Sequence, residues 1–233
     1  MNIAIIPARG GSRRIPKKNI KKFNGKPIIY WSIKCALQTK LFDQVIVSTD
    51  DKEIAKISQK FGAKVPFMRS SNLSKNSIGI IEVVSDATKW ILKNEANVKY
   101  ICCIFPTSPL MKAKDVRLGY KKIVKNKLSY VFSATSYPSS IYRSFLLDKN
   151  NKNLKVCFKN KFKKKINENL EFFYDAGQFY WGKKEAWIKK KNIFSSKSAI
   201  LEIPRWRTQD INNKKDWITA QKLFKGMKHN EKK

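Results

Sequence analysis

The sequence has little of the chemistry that several common enzyme classes require. Its single histidine, His229, lies in a polar stretch near the end of the chain. Neither a Ser-His-Asp or Cys-His arrangement nor a zinc site is therefore expected. The four cysteines include no CxxC pair, which favours reduced core thiols. These absences exclude histidine-based hydrolysis and zinc chemistry.

Long apolar runs are also missing. No stretch approaches the roughly 20 apolar residues of a membrane span, so no membrane partner is expected. The first residues read as a buried strand, from Asn2 to Ile6, and not as a signal peptide. Together with the reduced cysteines, this predicts a cytoplasmic protein.

Acidic residues are scarce, with 17 Asp and Glu against 50 Lys and Arg, a formal net charge of +33. Such a charge is typical of proteins that bind nucleic acid or anionic membranes. The lysines, however, are scattered, and the dense clusters at 159–165 and 183–191 lack the interleaved aromatic residues of a base-stacking surface. We expect no nucleic-acid partner, and keep a basic nucleic-acid-binding protein as the alternative of another class.

Short apolar runs alternate with helix-like segments through the first two-thirds of the chain, which predicts an α/β fold with a mostly parallel sheet. The helix-like segments are 28–38, 52–61, 78–94 and 113–124, and the strand-like runs are 3–6, 44–48, 64–67, 100–105 and 130–134. Ligands of such sheets bind outside the carboxyl ends of the strands. Polar or Gly/Pro-rich segments follow these ends at 7–19, 48–51, 106–109 and 135–138.

The pattern changes between residues 137 and 173, where short strand-like pieces alternate with Lys/Asn-rich turns. We interpret 137–173 as an inserted small β-rich arm that packs on a second subunit. The core then comprises 1–136 and 174–225, and 226–233 is predicted to be a flexible tail.

The loop after the first strand has the composition of a phosphate-binding site. Gly10 and Gly11 let backbone N–H groups approach an anion. Cations that grip phosphate surround them: Arg9, Arg13, Arg14, Lys17 and Lys18. Neither GxxxxGK[ST] nor GxGxxG is present, so neither a P-loop nor a dinucleotide fingerprint is indicated. A phosphate-binding loop is favoured over a basic surface turn.

Two later segments carry further polar groups. Asp210 and Asn212 are two residues apart, so in an extended chain both face one way and suit Mg²⁺; capping of the next helix is the alternative. The segment 175–181 places Asp175 and Gln178 among aromatic residues around a glycine. It suits a sugar pocket, with core aromatics on a strand as the alternative.

Together these segments resemble the cytidylyltransferases that activate nonulosonic (sialic-acid-like) sugars. The resemblance covers residues 1 to about 224 and rests on 6–19, 47–51, 105–110 and 209–212, in the family's order. The segment 173–181 is most similar to the pseudaminic acid branch. The resemblance implies a Rossmann-like nucleotidyltransferase core and a homodimer built by the arm.

The resemblance also implies a reaction. CTP and a nine-carbon keto sugar acid, most closely pseudaminic acid, give the CMP-sugar and pyrophosphate, with Mg²⁺ as cofactor and Mn²⁺ as its substitute. Sialic and legionaminic acids remain alternative substrates.

Site residues are implied in the same way. Arg9, Lys18 and Asp210 are the implied catalytic residues, and Asp210 and Asn212 the implied metal ligands. The implied nucleotide-binding residues are Ala8, Arg9, Gly10, Gly11, Ser12, Arg13, Lys18, Asn19, Arg69 and Ser77. The implied sugar-binding residues are Thr107, Ser108, Arg143, Asp175, Gln178, Tyr180 and Arg205.

The sequence departs from the family at two places. Asn212 stands where the closing segment commonly has a second acid, and Ile78 and Ile80 stand where hydroxyl groups usually lie, although Ser77 is retained. A catalytically inactive nucleotide binder therefore remains a further alternative.

Overall fold

A computed structural model describes residues 1–148, 150, 152–163 and 170–230, with side chains to residue 227. The strands are β1 (Asn2–Pro7), β2 (Lys22–Phe23), β3 (Lys26–Pro27), β4 (Gln44–Ser48), β5 (Tyr100–Ile104), β6 (Tyr130–Ser136), β7 (Phe145–Leu147), β8 (Leu154–Val156), β9 (Phe173–Lys183) and β10 (Ser198–Glu202). The helices are α1 (Ile28–Gln38), α2 (Lys52–Lys60), α3 (Ile80–Asn94), α4 (Ala113–Lys125), α5 (Lys184–Ile188) and α6 (Lys214–Asn230).

The central sheet has six strands in the order β10-β6-β9-β5-β1-β4. It is mostly parallel, as predicted, and only β9 runs antiparallel to its neighbours β5 and β6. This direction follows from the insertion. Ser136 at the end of β6 pairs with Phe173 at the start of β9, so the arm is the long loop of a hairpin and not a crossover.

Helices cover both faces of the sheet because its strands are apolar on both sides. Along β1, Ala4 and Ile6 pack with α1, α2 and α4, whereas Ile3 and Ile5 pack on the other face with α3 and α5. α6 forms a third cluster with the small β2–β3 hairpin, where Phe23 lies edge-on to Trp217 with ring centroids 5.4 Å apart. This cluster holds the loop after β1 against the end of the chain.

Three predicted boundaries change. The run 64–67 forms only isolated bridges, Ile46 with Lys64 and Thr49 with Met68, because Pro66 has no N–H to donate. The helix predicted over 78–94 begins at Ile80. The prediction of a flexible tail from residue 226 is wrong as far as Asn230, since α6 continues there and buries Met227 in the third cluster.

The described parts of the arm match the predicted β-rich character. β7 and β8 form a two-stranded antiparallel sheet of their own, separate from the central one. Short 3-10 turns at Ile141–Arg143 and Lys159–Lys161 flank this hairpin.

Candidate active site

A cavity of about 580 Å³ opens at the carboxyl edge of the sheet. The loop after β1 forms one wall, residues 73–83 form the other, and residues 105–107 after β5 close the floor. Residues from the predicted site that line it are Arg9, Ser12, Arg13, Lys18, Asn19, Arg69, Thr107 and Asn212. The fold thus brings the opening loop and the closing segment to one cavity.

Hydrogen bonds from both of its ends fix the loop after β1. Buried Ala8 donates its N–H to the Ser48 carbonyl on β4 (2.9 Å). Buried Asn19 donates its side-chain amide to the Arg9 carbonyl (2.9 Å). Lys17 turns the chain with a positive φ of 50° and pairs with Glu53 of α2 at 2.6 Å. Ala8 and Asn19 thus hold the loop in shape through these atoms.

The two glycines of the loop have different surroundings. The Gly10 N–H donates to Asp50 Oδ1 at 2.9 Å, and a Cβ at Gly10 would lie 2.7 Å from Asp51 Oδ2. A Cβ at Gly11 would meet no atom within 4 Å. The sequence predicts that both amides approach a phosphate. The structure gives the Gly10 amide to a carboxylate instead, because the turn after β4 comes within hydrogen-bonding distance.

A methyl group distinguishes these two positions experimentally. Gly10→Ala is expected to destabilise the protein by about 1–3 kcal/mol, because the new Cβ overlaps Asp51 and the turn must move. Gly11→Ala is the matched control and should leave the free energy of unfolding unchanged. Thermal unfolding measures both, with a fall in Tm of at least about 2 °C expected for Gly10→Ala. A wild-type Tm for Gly10→Ala would contradict the close approach.

An adjoining open groove extends along the outer side of the loop. Gly10, Gly11, Ser12 and Arg13 line it on one side and Ser77 lines it on the other, together with Lys75. Ser12 and Arg13 border both spaces. Ser77 therefore faces the predicted phosphate loop across this groove.

Lys18 links the opening loop to the closing segment. Its ammonium donates to the Ile211 carbonyl at 2.7 Å. Burial lowers the pKa of Lys18, as do the nearby Arg14 and Arg9, while the Asp210 carboxylate raises it. Lys18 thus stands beside Asp210, although the two lie at opposite ends of the sequence.

The segment that contains Asp210 does not cap α6. Asn213 caps the helix, accepting from the N–H groups of Lys215 (2.8 Å) and Asp216 (3.1 Å), while Asp216 accepts from the Asn213 N–H. The Asn212 side-chain amide donates to Asp210 Oδ2. Helix capping, the sequence-based alternative for Asp210 and Asn212, is therefore carried out by the next residues, and both side chains stay near the cavity.

Arg69 projects into the cavity from behind β4. Its backbone N–H donates to the Thr49 carbonyl (2.7 Å), and its guanidinium donates to the Ser48 carbonyl. Burial lowers the pKa of Arg69, and the Asp50 carboxylate opposes this. Within the described residues its Nε–H is buried and has no acceptor.

Asp175 and Tyr180 form a hydrogen-bonded network with the Gly177 amide beside the cavity, and Gln178 lies on the same strand; all three predicted residues are outside the cavity lining. Tyr180 donates its hydroxyl to Asp175, and the Gly177 N–H donates to the same carboxylate at 2.9 Å. Burial raises the pKa of Asp175, and the charge of Asp210 adds to this rise. The network therefore adjoins the Asp210 segment.

The same strand, β9, shows whether the segment 175–181 lines a sugar pocket or places aromatic side chains in the core. Phe179 and Trp181 are fully buried in the core. Gln178 donates its side-chain N–H to the Arg207 carbonyl (2.7 Å), while its Oε1 is buried and has no donor within the described residues. Ser108 donates to the Gly177 carbonyl at 3.0 Å and ties the turn after β5 to this strand. The segment 175–181 therefore contributes aromatic side chains to the core and also carries polar groups beside the cavity.

The two arginines among the implied sugar-binding residues, Arg143 and Arg205, lie outside the cavity lining. Arg205 is exposed and donates to the Tyr137 carbonyl at the base of the arm (3.3 Å). Arg143 is exposed on the arm itself. A single chain does not bring either residue to the cavity.

Sequence reasoning missed several residues of the site. The wall formed by Leu73, Lys75, Asn76, Gly79 and Val83 was not predicted, although Ile78 and Ile80 within it were noted. The buried ion pair between Arg207 and Asp115 was also missed, since its partners are 92 residues apart.

The described residues contain no cluster of three or more His, Cys, Asp and Glu side chains placed to bind a metal. None of the described helices combines the length and apolarity needed to cross a bilayer. Any metal at Asp210 would therefore need ligands beyond the protein's own carboxylates, such as substrate phosphates.

The fold is that of nucleotidyltransferases. A solved structure of a CMP:2-keto-3-deoxy-manno-octonic acid synthetase complexed with CTP superposes with a TM-score of 0.72 at 15% identity, covering 97% of this chain and 99% of that one. The family model described as Cytidylyltransferase matches residues 3–221. The chain belongs to the cytidylyltransferase family and is a nucleotidyltransferase enzyme.

Curated relatives show the same relationship over nearly the whole length. The chain is 37% identical over 224 residues to the pseudaminic acid cytidylyltransferase of Campylobacter jejuni, covering 96% of both proteins. It is 30% identical over 224 residues to the CMP-N,N'-diacetyllegionaminic acid synthase of Legionella pneumophila, covering 95% of both. The sequence-based recognition of the family is therefore confirmed.

Proposed function

We propose that this enzyme transfers CMP from CTP to the anomeric hydroxyl of a nonulosonic acid, with pseudaminic acid as the preferred substrate. The observation that carries the proposal is the 37% identity, over 96% of both chains, to a pseudaminic acid cytidylyltransferase. The cavity supports it, because cations from the opening loop face a wall that suits a nucleoside. N-acetylneuraminic and N,N'-diacetyllegionaminic acids are the alternative substrates.

The roles of the cavity residues follow from their positions. Arg9, Arg13 and Lys18 would hold the triphosphate through charge-assisted hydrogen bonds. Arg69 would lie beside the cytosine ring, and residues 78–80 would pack on the nucleoside. Ser12, Gly11 and Ser77 would border the phosphates from the outer groove.

Transfer then follows in-line displacement. The anomeric oxygen forms a bond to the α-phosphorus, the bond from that phosphorus to the bridging oxygen breaks with its electron pair staying on pyrophosphate, and the hydroxyl proton is released. Lys18 and Arg9 stabilise the charge that develops on the phosphate oxygens. The Asp175–Tyr180 pair and the open acceptor of Gln178 would orient the sugar hydroxyl and amide groups.

The residues at Asp210 fit a divalent cation, Mg²⁺ in our proposal. Asp210 raises the pKa of Asp175 by charge repulsion, which a bound cation would relieve. Asp210 and the amide oxygen of Asn212 would hold the ion with substrate phosphates and water, as Mg²⁺ prefers. When bound, the ion would neutralise charge on the triphosphate.

Pyrophosphate release tests the reaction and the substrate together. Purified protein is supplied with CTP, Mg²⁺ or Mn²⁺, and pseudaminic, N-acetylneuraminic or N,N'-diacetyllegionaminic acid. The highest kcat/KM is expected with pseudaminic acid. A higher value for another acid would replace the substrate assignment, whereas no release with any acid or metal would favour the inactive nucleotide binder.

We also propose a homodimer formed through the arm. Phe145, Leu147 and Leu154 share one face of the β7–β8 hairpin and are 49%, 61% and 63% exposed. Exposed apolar side chains placed together on one surface are typical of interfaces. A second copy of the chain fits this surface, because a two-stranded hairpin is marginally stable alone.

The buried free thiols Cys35, Cys102 and Cys103 support a reducing, cytoplasmic location.

Replacing two leucines of this face tests the dimer. Leu147→Lys with Leu154→Glu removes two of the three exposed apolar side chains of this face, yet keeps a favourable cross-strand pair because the two positions are directly opposite. Light scattering is expected to give twice the 27.1 kDa chain mass for the wild type and the single-chain mass for the variant. The control is Leu118→Glu, which removes an exposed apolar residue on α4 and should remain dimeric. A wild-type monomer at all concentrations would refute the interface.

A further inference from the structure

Asp50 connects the nucleotide loop to the end of the neighbouring strand. It lies two residues after β4, and its Oδ1 accepts the Gly10 N–H at 2.9 Å from a partner 40 residues earlier in the chain. Gly10 also stands against the Asp51 side chain, so the loop and this turn are in direct contact. The first turn of the loop therefore depends on the turn after β4.

The acids around Asp50 have other tasks. Asp51 caps α2 by accepting from the N–H groups of Glu53 (2.8 Å) and Ile54 (3.0 Å). Glu53 pairs with Lys17 on the exposed outer side. Among the described residues, the Gly10 N–H is the group that donates a hydrogen bond to the Asp50 carboxylate. The Asp50 carboxylate is thus not required by the helix that follows it.

Asp50 also stands beside the cations of the cavity. Its charge raises the pKa of Arg69, against burial and the charge of Arg9, which both lower it. A carboxylate at this place is unexpected in a site for a polyanion, since by charge alone it repels the triphosphate. Its hydrogen bond to the loop offers a reason for its presence.

We propose that Asp50 is a positioning residue for CTP binding, which holds the Gly10 amide and so fixes the turn from which Arg9 and Arg13 reach the triphosphate. Arg9 precedes Gly10 directly, and the Gly10 carbonyl accepts the Ser12 N–H at 2.8 Å. Loss of the anchor therefore frees the loop on both sides of Gly10. The inference rests on the proposed use of CTP and is independent of which sugar is used.

Charge and geometry predict opposite effects of removing Asp50. If Asp50 acted only through its charge, Asp50→Ala would tighten CTP binding. If Asp50 positions the loop, Asp50→Ala weakens binding, because the lost hydrogen bond leaves the turn unanchored. Asp50→Asn keeps an acceptor for Gly10 without the charge, and Asp50→Glu keeps the charge but displaces the acceptor.

Equilibrium dialysis with labelled CTP and no sugar measures these variants directly. We expect the Kd for CTP to rise about tenfold for Asp50→Ala and for Asp50→Glu, and to stay within about twofold for Asp50→Asn. Asp86→Ala is the matched control, because Asp86 also raises the pKa of Arg69 but has no bond to the loop. Its Kd should be unchanged or lower.

The possible outcomes distinguish failure of the positioning role from failure of the proposed function. Wild-type or tighter binding by Asp50→Ala overturns the positioning role. Equal weakening in Asp50→Asn and Asp50→Ala overturns it as well, because Asp50→Asn keeps an acceptor for the Gly10 N–H. If Asp50→Ala fails to fold by circular dichroism, Asp50→Glu decides between the same two results. Failure of the wild type to bind CTP removes the proposed function and this inference with it, whereas CTP binding without turnover leaves the inference standing.

Discussion

Asp210→Ala is expected to lower kcat by about a thousandfold while leaving the fold intact. Asp210 lies beside Lys18, whose ammonium bonds the Ile211 carbonyl, and close enough to Asp175 to raise its pKa. In our proposal Asp210 helps to hold the cation that neutralises the triphosphate, and the loss of one group that stabilises transition-state charge typically costs ~10²–10³-fold in rate. Pyrophosphate release under saturating CTP and sugar measures the effect.

The Tm and a control variant show whether Asp210→Ala leaves the fold intact, and a Mg²⁺ titration tests the metal site. Asp210 is exposed, so its removal should not change the Tm, and Glu202→Ala removes another exposed acid that is expected to have no kinetic effect. Kinetics of Asp210→Ala within threefold of wild type would refute its proposed role. Titration with Mg²⁺ should also show that Asp210→Ala needs far more metal, because a ligand is lost.

Asn212→Asp tests the same site from the other direction. It adds the second acid that the family commonly has beside Asp210, and a second carboxylate attracts a divalent cation more strongly. The Mg²⁺ concentration for half-maximal activity is expected to fall. An unchanged or higher requirement would place the metal away from residue 212.

Asp115→Ala is expected to destabilise the protein by about 3–5 kcal/mol, the largest effect on stability that we foresee. Asp115 and Arg207 are 6% and 7% exposed and form a paired ion bridge, with a second contact of 3.2 Å. Without the carboxylate, the Arg207 guanidinium remains buried and unpaired. Because the Arg207 carbonyl accepts the Gln178 amide, the sugar side of the site should be disturbed as well.

Thermal unfolding of two variants distinguishes the cost of an unpaired buried charge from the cost of disturbed packing at this site. Asp115→Ala should lower the Tm by at least about 6 °C. The double variant Asp115→Leu with Arg207→Met leaves no unpaired buried charge, so it should recover most of this loss. A double variant as unstable as Asp115→Ala would show that the packing at this site, not the unpaired charge, limits stability.

Local signals explain what the sequence could predict. The bounds of β4 and α1 match because a β-branched run flanked by polar residues, at 45–47, and a proline before a helix are complete signals in themselves. Gly62, with φ 89°, lies two residues after the end of α2, as expected for a glycine past the end of a helix. The nucleotide loop was recognisable for the same reason, since its glycines and cations are neighbours in the chain.

Contacts between residues distant in the chain explain the features that the sequence could not predict. The direction of β9 depends on whether the arm returns to the same edge of the sheet, which composition does not reveal. The bond from Gly10 to Asp50 spans 40 residues, so no sequence pattern showed that this amide is occupied. Residues 64–67 have an apolar character typical of a strand, yet Pro66 interrupts the ladder.

A crystal structure of the protein with CTP and no sugar tests the central claim most directly. The account predicts the triphosphate along the loop after β1, within hydrogen-bonding distance of Arg13 and Lys18, and the cytosine beside Arg69 and Ile78. The Gly10 amide should still donate to Asp50. CTP bound at any other place, or with its triphosphate away from Lys18, would contradict the assignment of this cavity.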